Sequence, residues 1–148
     1  MGELEATATV RWKGFGGTVE GASGKLRAPT ATQAELGGPG TGTNPEELMA
    51  AAHANCYTST LTSLARARGV DLESLETRAT TRLVWERSDH HLASSRLVVH
   101  IRSASPEEAV RELVREAEQD CPVCQAIRGN VEMTVVFEYE PATGVRVG

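Results

Sequence analysis

Three cysteines carry most of the reactive potential of this chain. Cys56 lies within TNPEELMAAAHANCY (43–57), and Cys121 and Cys124 lie within CPVCQAIRG (121–129). A thiolate attacks peroxides and disulfides and binds soft metals. His53 is one helical turn before Cys56 on the same face, where a protonated imidazole can steady a thiolate. Cys56 also suits a small buried hydrophobe. It sits about three turns inside its helix, beyond the first turn where the helix dipole acts. The C-x-x-C at 121–124 fits either a redox pair or half of a zinc site. Zinc needs two further ligands, for which His90 and His91 are the candidates. A thioredoxin-like pair follows an early strand of a βαβ unit, whereas this one precedes the last strand.

The elements around these residues are readable from periodicity. LEATATVRWK alternates apolar and polar residues (Leu4, Ala6, Ala8, Val10, Trp12), the pattern of a half-buried strand. GFGG (14–17) is a turn, TVEG and GKLRA suggest short strands, and glycine-rich ELGGPGTGT (35–43) is a loop. Asn44 is a good N-cap, Pro45 suits the first helical position, and Glu47 completes a capping box. Leu48, Ala51, Ala52, Cys56, Leu61 and Leu64 form a stripe on the helix that follows, and Gly69 closes it. So much alanine implies that something packs closely on this helix. SLETRATTRLVWERS and LASSRLVVHIRS read as two long strands joined around DHH (89–91). Residues 105–119 form an amphipathic helix with Ser105 as cap, CPVCQAIRG a short helix from Pro122, and NVEMTVVFEYE a closing strand. This order of elements predicts an α+β protein with antiparallel strands, not a doubly wound sheet.

Bulk properties narrow the function. The 148 residues suit one domain, here 1–148, and 40% hydrophobic with 24% charged residues is ordinary for a soluble protein. A net charge of −5, no basic run and 4% aromatics argue against nucleic acid and anionic membrane as partners. The N-terminus lacks the pattern of a signal peptide, and no apolar run approaches a membrane span, so a cytoplasmic location is expected.

Two segments, ELGGPGTGTNPEELMAAAHANCY (35–57) and CPVCQAIRGNVEM (121–133), resemble the OsmC/Ohr family of thiol-dependent hydroperoxide reductases. ELGGPG before TNPE is similar to the Ohr branch, and GTNPEEL, AAAHA and CPV to the OsmC branch. The resemblance implies an OsmC/Ohr-like α+β fold of antiparallel sheets wrapped around long central helices, as an intertwined homodimer with active sites at the interface. It makes Cys56 the peroxidatic cysteine, Cys121 the resolving cysteine and Glu46 the carboxylate that positions a catalytic arginine. The Ohr branch keeps that arginine in the turn after the first strand, where Phe15 falls here with Arg11 close by. The OsmC position, in the loop before the helix, is empty. Arg11 is therefore the expected thiolate-stabilising residue and Arg27 the substitute. Cys124 stands where the family usually has serine.

The chemistry this implies needs no metal and no bound organic cofactor. The thiolate attacks R–O–O–H, the alcohol leaves, and Cys56 becomes a sulfenic acid. Cys121 condenses with it to a disulfide, which an external dithiol, such as a lipoylated protein, reduces. The alternative is an OsmC-fold thiol sensor or ligand-binding protein without strong peroxidase activity, suggested by the unplaced arginine and the extra Cys124.

Overall fold

The computed structural model describes residues 1–142, and these fall into two compact units that divide near Leu48. In the first unit, β1 (Ala8–Lys13), β2 (Gly16–Gly21) and β3 (Arg27–Ala31) form an antiparallel sheet in that order. Gly17 pairs with Trp12 across the first hairpin. A Cβ at Gly17 would stand 1.7 Å from the Arg11 carbonyl oxygen, so the close approach of β1 demands glycine there. The chain then makes a single 3-10 turn (Ala34–Leu36) and returns to pair Thr43 beside Thr30. The half-buried β1 expected from alternation is not what forms. Every residue of β1 is exposed in this chain, including Val10 and Trp12, and so is Phe15 in the turn.

Helix α1 (Pro45–Arg68) has the bounds that its signals predict. The Asn44 side-chain oxygen accepts the Glu47 N–H at 2.8 Å, and Gly69 follows the helix at φ 66°.

The second unit holds the rest of α1, β4 (Ser74–Glu86), β5 (Asp89–Ser103), α2 (Glu107–Asp120), α3 (Pro122–Ile127) and β6 (Glu132–Pro141). Its sheet runs β4-β5-β6. The β4–β5 hairpin is antiparallel and turns at Arg87, held at φ 55°, so Asp89, His90 and His91 open β5 instead of forming the turn. The expectation of antiparallel strands throughout fails at β5–β6, which pair in parallel. The physical reason is the connection, because α2 and α3 carry the chain back to the starting end of β5 and β6 must then run alongside it.

Alternate residues of β5 (Ser95, Leu97, Val99, Ile101, Ser103) are buried. Val110, Leu113, Val114 and Ala117 of α2 join this core, with Tyr57, Leu61 and Ala65 of α1. The buried row on α1 is therefore His53, Tyr57, Leu61 and Ala65, spaced by four. It is displaced from the expected stripe, of which only Leu61 is fully buried, while Ala51 and Ala52 are exposed in this chain. Ser105 does not cap α2. Its hydroxyl accepts the Asp71 N–H at 2.9 Å, and Pro106 takes the cap position without a side-chain bond.

Candidate active site

Cys121 occupies the single residue between α2 and α3. Pro122 at the first position of α3 pre-sets that helix and keeps the residue before it extended, at φ −65° and ψ 116°. The backbone of Cys121 is fixed on both sides. Its N–H donates to the Ala117 carbonyl at 2.9 Å, and its carbonyl accepts from Gln125 N–H at 3.0 Å. Its sulfur accepts the Cys124 N–H at 3.4 Å. Both Cys121 and Cys124 are fully buried, whereas Cys56 is half-buried, and all three are free thiols.

The Cys56 and Cys121 thiols are neighbours. The Val123 N–H, in the first turn of α3, also points at the Cys56 sulfur, and the Thr60 hydroxyl lies beside it. Burial pushes the Cys56 thiol up, Cys121 adds to that, and the Val123 N–H and Thr60 hydroxyl pull against it without reversing it. Every one of these neighbours is neutral, so this pocket by itself keeps Cys56 protonated.

His53 does not serve Cys56. Its Nε2 lies 3.3 Å from the Cys124 sulfur and its Nδ1 lies 2.7 Å from the Ser95 hydroxyl. Burial lowers its pKa, which leaves a neutral imidazole. Ser95 in turn is 3.4 Å from the Thr81 hydroxyl. Burial also drives the Cys124 thiol far up, with Cys121 contributing. The sequence exposes the Cys124 position through C-x-x-C, but its pairing with His53 and Ser95 depends on long-range packing and has no local signature.

Of the other predicted residues, Glu46, Arg11 and Arg27 lie in the first unit, and His90 and His91 in the second. Glu46, in the first turn of α1, accepts a hydrogen bond from the Gln33 side-chain amide. Arg11 is exposed on β1 and ion-paired with Glu20 at 3.2 Å, and Arg27 reaches the same carboxylate at 3.4 Å. His90 and His91 are exposed, with His91 3.6 Å from the Asp89 carboxylate. Among the described residues no group of three or more His, Cys, Asp and Glu is placed to hold a metal ion.

The solved organic hydroperoxide resistance protein OsmC from Legionella pneumophila superposes with a TM-score of 0.77 at 28% identity, covering 93% of this chain and 99% of that one. The family model described as OsmC-like protein matches residues 38–136, and the chain belongs to that family. Among its relatives, the uncharacterized protein YmaD of Bacillus subtilis is 32% identical over 79% of this chain and 80% of its own. The organic hydroperoxide resistance protein OhrB of the same organism is 36% identical over 63% of this chain and 68% of its own.

Proposed function

We propose that the protein is a cysteine peroxidase that reduces organic hydroperoxides to alcohols, in keeping with the peroxide-related role its relatives' names support. The observation that carries this reading is the contact between the half-buried Cys56 thiol and the buried Cys121 thiol on a pinned turn. In the first step the Cys56 thiolate attacks one peroxide oxygen, the O–O bond breaks, and the alkoxide takes a proton and leaves as alcohol. Cys56 is then a sulfenic acid. Cys121 attacks that sulfur, water leaves, and a Cys56–Cys121 disulfide forms. An external dithiol, for which a lipoylated protein is the candidate, reduces it by exchange.

The neutral surroundings of Cys56 mean that a cation must be supplied for the thiolate to form near neutral pH. In this reading Arg11 supplies it and Glu46 orients it, as the resemblance implies, and the guanidinium also meets the charge developing on the leaving oxygen. The functional unit is residues 1–148 acting as one domain in a cytoplasmic homodimer with active sites at its interface. Ala51, Ala52, Val10, Trp12 and Phe15, all apolar and exposed in the single chain, support an assembly that covers them. No helix of the described residues is long and apolar enough to cross a membrane.

Dithiol-dependent consumption of cumene or tert-butyl hydroperoxide tests the reading. Wild type turns over, Cys56→Ser is inactive, and Cys121→Ser is impaired because its sulfenic acid lacks the partner thiol. A second reading, a thiol sensor without strong peroxidase activity, is favoured by the raised pKa of Cys56. It predicts stoichiometric oxidation of Cys56 without turnover in the same assay.

A further inference from the structure

Cys121 is a neighbour that Cys56 and Cys124 share. The Cys121 sulfur accepts the Cys124 N–H at 3.4 Å, and Cys56 packs against the core cluster that holds Cys121 and Cys124. The Cys124 sulfur in turn lies 3.3 Å from His53 Nε2, and His53 Nδ1 lies 2.7 Å from Ser95. Thiol–disulfide exchange needs a central sulfur that both the attacking and the leaving sulfur adjoin. The attacking thiol must also shed a proton, and His53 is a neutral buried base touching only that thiol of the three.

We propose that Cys124 is a third redox-active thiol, which attacks Cys121 in the Cys56–Cys121 disulfide, passes its proton to His53 and frees Cys56. This rests on the peroxidase reading above for the source of the first disulfide. In the exchange the Cys124–Cys121 bond forms, the Cys121–Cys56 bond breaks, and Cys56 takes the electron pair and leaves as a thiolate. The Cys124 proton moves to His53 Nε2, and the imidazolium is held by the Ser95 hydroxyl, which accepts from Nδ1–H. One disulfide is exchanged for another, so no further oxidant or reductant enters. The step is favoured by chain length, because Cys121 and Cys124 close a far shorter loop than Cys56 and Cys121. The outcome is an oxidising equivalent moved from the half-buried Cys56 into a fully buried pair, with Cys56 ready to meet a second peroxide.

The test is a quenched time course after one equivalent of cumene hydroperoxide per reduced chain, with free thiols alkylated and disulfides mapped by peptide mass spectrometry. The Cys56–Cys121 disulfide should appear first and decay as Cys121–Cys124 rises and Cys56 becomes alkylatable. Cys124→Ser should stop at Cys56–Cys121. His53→Gln should lower the ratio of second-phase to first-phase rate by about a hundredfold, the low side of general-base assistance. Thermal melting establishes that each variant is folded, and the Cys124→Ser arm stands if His53→Gln is not. A wild-type Cys56–Cys121 disulfide that persists with Cys124 still alkylatable overturns the proposal, and an unchanged ratio in His53→Gln overturns the role of His53. If hydroperoxide leaves all thiols untouched, the peroxidase reading fails instead. The same time course begun with diamide then decides the exchange: the same succession of disulfides supports it, and Cys121–Cys124 forming without the earlier disulfide overturns it.

Discussion

Cys56 meets a sulfur, an amide hydrogen and a hydroxyl, none of which carries a positive charge. Its acidity therefore depends on what is brought to it. If Arg11 supplies that charge, Arg11→Ala should move the midpoint of Cys56 alkylation against pH upward, and an unchanged midpoint would assign the cation to another residue. Peroxide turnover should fall with it at neutral pH. The buried thiols also predict an alkaline loss of stability. Cys56, Cys124 and the Tyr57 phenol all have pKa values raised by burial. In the unfolded chain a thiol ionises near pH ~8.5, while in the folded chain it stays protonated to higher pH. Above that unfolded value the folded state binds more protons, so stability falls as pH rises. Melting temperature should decline above pH ~8.5, and Cys124→Ser should flatten the decline. His53 acts with the opposite sign. Its lowered pKa makes stability fall as pH drops below ~6.5, and His53→Gln should remove that acid-side slope.

At the scale of elements, α1 shows what a sequence discloses and what it withholds. Its ends were legible because Asn44, Pro45, Glu47 and Gly69 act on backbone groups next to them. Its buried face was not, because the row from His53 to Ala65 is chosen by β5 and α2, which arrive from distant parts of the chain. Tyr57 illustrates this, since its hydroxyl donates to the Val114 carbonyl in α2 at 3.0 Å. Tyr57→Phe should cost about 0.5–1.5 kcal/mol in urea denaturation, the worth of one hydrogen bond to a carbonyl that keeps its helical partner. Leu61→Ala, at the centre of the same row, should cost about 2–5 kcal/mol. The cysteine positions were also legible, as were the turn-forming Pro122 and Gly129 around α3. Arg11 was not settled by spacing, and among the described residues it is ion-paired with Glu20 of β2. The strand directions were missed at β6 because periodicity marks a strand without saying which way it runs.

At the scale of the molecule, the exposed Val10, Trp12 and Phe15 and the exposed alanines of α1 call for a covering surface. Sedimentation should find a dimer, and Trp12→Glu should shift it toward monomer. The parallel pairing of β6 with β5 has a consequence for synthesis as well. The chain leaves the ribosome from its N-terminus, so β5, α2 and α3 emerge before β6 does. β6 supplies Met133, Val135, Phe137 and Tyr139 to the core that shields Cys121 and Cys124. The newborn chain therefore carries its thiols before it has the strand that helps enclose them. For that interval the strand that helps to cover them is missing, and β6 completes their enclosure among the described residues.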